Sequence, residues 1–385
     1  MKIVYKTSSN FVDSDFPLIK QLQLMGHEVF TFIDLPCYGL RSTLVDIKKQ
    51  KSETGIIKAT EYDEFKIFES YFDTSNLYVV NRVEQSLTKW SNIKVNHQLC
   101  KRMGCINPEV VVTPCIPDVN DWEILLRFKS KIVLTVHDPF PHTGENSGRK
   151  KFARTLAMNI CKKFVLLNKT QYYDFINYWH LPAECVLVNK MGVFDYMHIY
   201  LQKEIPKRIG IPRILFYGRI SPYKGIEYLL EAMKIVHERV PDATLIIAGG
   251  GKMYFDITPY MNLPYVEIRN HYIGMEELAG QLQICSLVVC PYTDATQSGV
   301  VLTSFAMGKP VIATNVGAMG EYIEDGITGI LVPPRDSKAL ADAICETLVN
   351  PEKLDMMTNA VKGRNESDTD GWKNIVERYM VFYKK

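Results

Sequence analysis

Short apolar runs rich in β-branched residues alternate with segments of helical periodicity over most of the chain. This alternation is typical of parallel sheets whose strands are joined by crossover helices. The segment Phe16–Gly26, for example, has apolar residues at helical spacing and closes on a glycine before the next strand. In the first half the pattern predicts strands at Lys2–Tyr5, Glu28–Ile33, Leu77–Val80, Val110–Thr113, Ile132–Val136, Phe164–Leu167 and Cys185–Val188.

A turn-rich segment at Lys203–Pro212 separates this series from a second one. The strands predicted beyond it are Arg213–Phe216, Thr244–Ala248, Tyr265–Ile268, Leu287–Cys290, Pro310–Ala313 and Gly329–Leu331. A chain of 385 residues is also too long for one ordinary core. We therefore predict an α/β protein with two Rossmann-like domains facing each other across a cleft, at residues 1–205 and 206–365. The last segment, 366–385, has helical periodicity and no following strand, and we expect it to return to the N-terminal domain.

Composition narrows the class of protein. The chain is 46% hydrophobic and 23% charged with a net charge of +2, as expected of a globular protein without bulk attraction for nucleic acid. Its nine cysteines form no CxxC pair, which favours reduced thiols over a disulfide framework or a zinc site. The sequence enters a strand at once, and no apolar run reaches membrane-spanning length. We expect a cytoplasmic protein.

Two clusters of cations in the first half could bring that protein to the inner face of a membrane as a peripheral contact. A run of this size is more often a solvated face, and this alternative stays open. Anionic headgroups or a lipid-diphosphate acceptor are the partners that such clusters would meet. The clusters are Lys48, Lys49 and Lys51, and Arg149, Lys150, Lys151 and Arg154.

The segment Gly218–Gly225, with the sequence GRISPYKG, follows a predicted strand and opens a helix. A turn of this kind presents backbone N–H groups to an anion, and it brings together Arg219 and Lys224. Arg219 would supply a planar fork for phosphate oxygens and Lys224 a point charge. A diphosphate suits such a site, although a solvated loop with two surface cations is an equal alternative for this segment alone.

A second strand-to-helix junction, Pro291–Leu302, offers small and polar residues and a helix N-terminus. Its candidate ligand-binding residues are Asp294, Thr296, Gln297, Ser298, Gly299 and Val300. The chain continues with GKPVIAT at 308–314, Val316-Gly317, Glu321 and the DGITG sequence at 325–329. Taken one at a time, these glycines indicate only ordinary turns.

Taken in order, these motifs resemble the retaining glycosyltransferases of family 4, the glycosyl transferases group 1, which have the GT-B fold. The resemblance is strong over Arg213–Val349. It is weak in the N-terminal half, where Gly26–Val29 and Thr135–Asp138 carry it. It implies a nucleotide-diphosphate-sugar donor bound by the C-terminal domain and a glycan or lipid-linked acceptor bound by the N-terminal one.

Carried over residue by residue, the resemblance assigns Gly218, Arg219 and Lys224 to the donor diphosphate, where the two cations would stabilise the leaving nucleotide. The backbone of Ser298, Gly299 and Val300 would donate to the same phosphates. His137 matches the histidine that contacts the donor sugar, with a structural histidine as the alternative.

The chain departs from the family at its paired glutamates, one of which contacts the donor sugar and the other the ribose. Alignment on Gly299 places Thr296 and Ser304 there, and alignment on Gly308 places Ala295 and Thr303. Neither alignment restores a carboxylate. Asp294, Thr296, Gln297 and Ser298 remain as polar substitutes.

Other contacts are predicted from position. Arg269 and Tyr272, after a strand of the second half, would lie near the nucleobase, unless this is an ordinary surface turn. The Pro-rich loop after His137 would meet the acceptor through Asp138, His142 and Glu145, or be only a rigid turn. No DxD sequence stands at a strand end, and the two cations supply what Mg²⁺ would, so we predict neither a metal nor a cofactor besides the donor.

The sequence thus favours a retaining, metal-independent, hexosyltransferase-like enzyme of cell-surface polysaccharide or glycolipid biosynthesis. The main alternative is a non-catalytic GT-B module that binds a nucleotide sugar or a partner protein, because the paired glutamates are absent. A GT-B epimerase is a third hypothesis, and it would need cleft carboxylates that the sequence does not offer.

Overall fold

The computed structural model describes residues 1–86, 88–114, 121–137, 139–140, 148–201, 211–295, 298–366 and 371–384, except the side chains at 149, 150 and 366. Contacts divide the chain into two compact units. Unit 1 consists of Met1–Gly192 and Trp372–Lys385, and unit 2 is Val193–Gly371. The predicted boundary after residue 205 lies outside the described residues. The segment just before it, 193–201, belongs to unit 2.

Unit 1 is built on an eight-stranded sheet with the order β3-β4-β2-β1-β5-β6-β7-β8. Neighbouring strands are parallel except β3 and β4, which are antiparallel. Both faces of the central strands are buried, which explains their unbroken apolar runs. The strands are β1 (Lys2–Ser8), β2 (Glu28–Pro36), β3 (Gly55–Lys58), β4 (Leu77–Arg82), β5 (Val110–Thr113), β6 (Ile132–Val136), β7 (Lys163–Leu166) and β8 (Val186–Val188).

The helices of unit 1 turn an apolar stripe toward this sheet, and one contiguous core joins α3, α4, α5 and α6 to the strands. In α3 the buried positions Val95, Leu99 and Met103 recur every fourth residue, which is the helical period. The helices are α1 (Val12–Leu24), α2 (Asp63–Lys66), α3 (Trp90–Ile106), α4 (Trp122–Phe128), α5 (Gly148–Ile160) and α6 (Tyr172–Trp179).

Unit 2 has a six-stranded parallel sheet with the order β11-β10-β9-β12-β13-β14. Its strands are β9 (Arg213–Tyr217), β10 (Thr244–Ala248), β11 (Val266–Arg269), β12 (Leu287–Cys290), β13 (Val311–Thr314) and β14 (Gly329–Val332). Its helices are α7 (Ile226–Arg239), α8 (Met275–Ile284), α9 (Gly299–Ala306), α10 (Met319–Tyr322), α11 (Ser337–Leu348) and α12 (Pro351–Glu366). Strand order reverses between β9 and β12, and ligands of open α/β sheets bind at such a switch point.

The last helix, α13 (Trp372–Lys384), packs on α1 within unit 1. Its apolar face is buried at Ile375, Val376 and Tyr379, which are spaced as the sequence pattern predicts. The Asn189 side-chain amide, itself buried, donates to the Ile375 carbonyl at 3.0 Å. The chain therefore begins and ends in the same unit. Across the described residues, no helix is both long enough and apolar enough to cross a bilayer.

Candidate functional site

The loop after β9 is held by close backbone packing at the switch point of unit 2. Gly249 has φ +155°, and a side chain there would overlap the Gly218 carbonyl. Gly225 has φ +62°, and a side chain there would overlap the Pro291 carbonyl. The Gly218 N–H donates to the Ala248 carbonyl at 3.0 Å. Only a glycine fits at positions 225 and 249. The absence of a side chain there allows the carboxyl ends of β9, β10 and β12 to approach one another closely.

This loop carries the two predicted cations, which the structure places in different environments. Arg219 is exposed, whereas Lys224 is only 8% exposed at the end of a short 3₁₀ turn, Pro222–Lys224. The Lys224 Nζ lies 3.7 Å from the ring centroid of Tyr292 and 5.0 Å from that of Tyr223. Such cation–π contacts stabilise an ammonium only in part.

No carboxylate among the described residues forms a salt bridge with Lys224. Burial lowers the pKa of its ammonium below the ordinary value, and the neighbouring Arg219 charge acts in the same direction. A buried cation without a counter-ion carries a desolvation cost that an incoming anion would offset. Lys224 is thus poised to bind an anion.

The N-terminus of α9 adds donors to the same switch point. Ser298 stands at the N-cap, and its side chain makes no capping hydrogen bond. The first-turn N–H groups of Gly299 and Val300 have no partner within the helix. In the described part of the chain, the buried Oγ atoms of Ser221 and Ser298 also have no hydrogen-bond partner. Backbone and hydroxyl donors of this kind suit phosphate oxygens.

Tyr217, the last residue of β9, fixes the start of α9. Its buried hydroxyl donates to the Val300 carbonyl at 2.8 Å and lies 3.2 Å from the Ser304 Oγ. Burial raises the pKa of this phenol, so it stays a neutral donor. Phe194 packs behind the helix, and a side chain at Gly299 would lie 3.2 Å from its ring. Sequence reasoning missed both aromatic residues, because each reads as an ordinary apolar position.

In each alignment, the position of the second missing glutamate, Ser304 or Thr303, lies inside α9. The Ser304 Oγ donates to the Val300 carbonyl at 2.7 Å, and the Thr303 Oγ1 donates to the Gly299 carbonyl at 2.8 Å. Both residues are buried. Neither hydroxyl therefore replaces a ligand-facing carboxylate, whichever alignment is taken.

Of the other predicted donor contacts, Asp294 is exposed after β12, and Thr296 and Gln297 lie outside the described residues. Arg269 ends β11, and its guanidinium binds Glu267 at 2.7 Å and Glu277 at 3.2 Å. These carboxylates raise its pKa. The structure therefore gives this cation counter-ions of its own, unlike Lys224. Tyr272 lies between β11 and α8 and is partly buried.

In unit 1, His137 follows β6, is partly buried, and has its ring centroid 4.6 Å from that of Phe11. It lines a small pocket with Asp15, Thr135 and Lys190, and apolar and aromatic side chains make up most of the remaining lining. The acceptor residues predicted beyond it, Asp138, His142 and Glu145, lie outside the described residues. Among the side chains that the structure describes, no three His, Cys, Asp or Glu residues are grouped as a metal site would require.

The two Rossmann-like units give the chain a GT-B glycosyltransferase fold. Anabaena HepE, solved in complex with UDP, superposes with a TM-score of 0.68 at 15% identity over 100% of both chains. A glycosyltransferase from Rickettsia africae gives a TM-score of 0.66 at 18% identity, covering 100% of this chain and 97% of that one. At these identities the likeness shows the fold.

Sequence comparison adds a family match over part of the chain. Residues 211–350 match the model of the family Glycosyl transferases group 1. The chain is 31% identical over 260 residues to alpha-D-kanosaminyltransferase of Streptomyces kanamyceticus. That match covers 64% of this chain and 64% of the relative, so the chain spans less than two thirds of the relative's length.

Proposed function

We propose that the protein is a retaining glycosyltransferase that moves a sugar from a nucleotide-diphosphate-sugar to a glycan or lipid-linked acceptor. The observation that carries this proposal is Lys224, which is buried, forms no salt bridge with a carboxylate of the described residues, and shares a loop with Arg219 next to the N-terminus of α9. The family match over residues 211–350 and the glycosyltransferase names of the relatives support it. Cell-surface polysaccharide or glycolipid biosynthesis is the setting that we propose.

A diphosphate is the ligand whose charge best suits this arrangement. Lys224 supplies a desolvated positive charge, Arg219 a solvent-accessible planar fork, and α9 two backbone N–H donors. In a low-dielectric setting the attraction between an ammonium and a phosphate is much stronger than in water. These groups would therefore bind the diphosphate of any donor. Specificity for one donor would come from the residues that contact its base and its sugar.

The same groups account for catalysis. Negative charge develops on the nucleoside diphosphate as the bond from its oxygen to the anomeric carbon breaks. Lys224, Arg219 and the α9 N–H groups would stabilise that charge without reorganising, and preorganised stabilisation of this kind supplies much of the rate enhancement of many enzymes. The acceptor hydroxyl would attack on the face that the nucleotide leaves, its proton would pass to the departing phosphate, and the anomeric configuration would be retained. We propose that His137 contacts the donor sugar.

A donor screen tests this proposal. UDP-, GDP- and dTDP-sugars are added to the protein and unfolding is followed, with UDP-glucose first because HepE was solved with it. A true donor at 100 times its Kd should add about 2.7 kcal/mol of stability. Transfer to a glycan acceptor in EDTA, with retention of configuration at the anomeric carbon by NMR, is the expected result. Inversion, or activity that needs added Mg²⁺, would contradict the mechanism.

A binding-only GT-B module is the second candidate, and one observation favours it. Thr303 and Ser304, the positions aligned with one family glutamate, are engaged inside α9 and offer no carboxylate. Such a module would bind the nucleotide sugar with the same Lys224 dependence. It would release neither nucleotide nor sugar over hours, whereas an enzyme would.

A further inference from the structure

Unit 1 exposes large apolar side chains on three consecutive helices. On α3, Trp90 is 75% and Ile93 45% exposed; on α4, Trp122 is 55% and Leu126 54% exposed; on α5, Phe152 is 62% exposed. Two of the chain's four tryptophans are in this set. Single exposed apolar residues are normal, but several aromatic residues on adjacent helices mark an interaction surface.

These side chains lie at one end of the unit. Each helix follows a parallel strand, so its first turns lie at the carboxyl edge of the sheet, and all five residues belong to the first two turns of their helices. The helices are also neighbours, since α3 contacts α4 and α4 contacts α5. The His97 Nδ1 of α3 lies 3.0 Å from the Glu123 Oε1 of α4. The exposed residues therefore form a band along one rim.

The three helices that carry the band are strongly basic. Helices α3, α4 and α5 contain eight Lys and Arg residues and one acidic residue, Glu123, although the whole chain carries a net charge of only +2. Lys94 and Lys151 are exposed next to these apolar residues along α3 and α5. The predicted cations Lys48, Lys49 and Lys51 lie between β2 and β3, and the Asn81 side-chain amide of β4, the strand that precedes α3, donates to the Lys51 carbonyl at 3.0 Å.

We propose that this aromatic–cationic face docks on an anionic lipid bilayer. We define the face by Trp90, Ile93, Trp122, Leu126 and Phe152 with Lys94 and Lys151. Tryptophan is favoured at the membrane–water interface, and each lysine near an anionic leaflet adds to the attraction. A second copy of the chain suits this face poorly, because a two-fold contact would bring two basic surfaces together. Docking would hold the carboxyl edge of the unit 1 sheet, next to which the acceptor is predicted to bind, at the bilayer.

Vesicle flotation of the full chain tests the proposal without using the proposed activity. Phosphatidylcholine vesicles with and without phosphatidylglycerol are compared, and intrinsic tryptophan fluorescence is recorded on binding. We expect binding only to the anionic vesicles, a blue shift from Trp90 and Trp122, and loss of binding at high salt. Equal binding to both vesicle types, or none to either, would overturn the proposal.

Two sets of variants locate the surface. Trp90→Ala with Trp122→Ala, and separately Lys94→Gln with Lys151→Gln, should each weaken vesicle binding about tenfold or more. The control is Met261→Ala with Met356→Ala, which removes apolar side chains that are 65% and 72% exposed in unit 2 and should leave binding unchanged. A dimer in solution that the tryptophan substitutions dissociate would instead assign the face to self-association and overturn the proposal.

Discussion

Replacing Lys224 by methionine should change stability and nucleotide binding in opposite ways. Methionine keeps much of the buried apolar stem and removes the charge. The lost cation–π contacts, worth about 2 kcal/mol when desolvated, are offset because the variant no longer buries an ammonium that no described carboxylate neutralises. We expect the free energy of unfolding to change by less than about 1 kcal/mol, or to rise.

Nucleotide affinity should fall sharply. A hydrogen bond to a charged group contributes about 1.5–3 kcal/mol, which corresponds to a loss of about 10- to 150-fold in affinity for a nucleoside diphosphate. The matched control is Lys309→Met. The Lys309 Nζ donates to the carbonyls of Gln283 and Cys285 at 3.2 and 2.7 Å, so this change should cost about 1–3 kcal/mol of stability and leave affinity intact.

The pH dependence of stability and of nucleotide binding follows from the lowered pKa of Lys224. Burial lowers the pKa of Lys224 in the folded protein, so its charge destabilises the fold below that pKa, and this cost disappears as pH rises toward the ordinary value of 10.5. Binding of a diphosphate should weaken over the same rise, because the ammonium loses its proton. Calorimetry with UDP, GDP and dTDP from pH 7 to 10, with unfolding by urea, measures both quantities. If Lys224→Met unfolds the protein more easily while affinity is unchanged, Lys224 is a packing residue and the reasoning fails.

Three further substitutions test residues that shape the proposed site. Gly225→Ala should lower the free energy of unfolding by at least about 2 kcal/mol, because φ is +62° and the new side chain would overlap the Pro291 carbonyl. The control Gly363→Ala, in the open interior of α12, should raise it by about 0.5–1 kcal/mol. Equal melting temperatures for the two variants would refute this account. Tyr217→Phe should cost about 1 kcal/mol and weaken nucleotide binding, since it frees the first turn of α9; calorimetry that shows unchanged affinity would remove Tyr217 from the site. His137→Ala should lower the rate of sugar transfer and leave the affinity for free UDP unchanged in a titration, and a loss of UDP affinity would contradict its proposed place at the sugar.

Much of the fold follows from local pattern. Every predicted strand is present, because a parallel strand buried on both faces shows as an apolar run. Strand β3 was missed, since Gly55–Lys58 is a short, half-buried edge strand without contrast between its faces. The Gly218–Gly225 loop was predicted because its glycines and cations are adjacent in sequence.

The parts of the site that depend on distant pairing were not predicted. Tyr292 reads as a strand-end aromatic residue, and only the tertiary fold places it under the Lys224 ammonium. Arg269 reads as a free cation, but Glu277 from α8 reaches its guanidinium. The Val193–Tyr200 region precedes the expected domain boundary and was therefore assigned to the first domain. In the structure it packs in unit 2, where the Phe194 N–H donates to the Leu302 carbonyl in α9. Sequence spacing along one element carries no information on such contacts.

The central claim is that the anion site around Lys224 performs glycosyl transfer. Release of nucleoside diphosphate from a panel of nucleotide sugars, followed by mass spectrometry in EDTA with and without acceptor, tests it most directly. We predict slow release that acceptor accelerates, that Arg219→Ala and Lys224→Met abolish, and that Lys309→Met retains when assayed well below its melting temperature. Tight binding of a nucleotide sugar with no release across the panel would contradict the claim and identify a binding module.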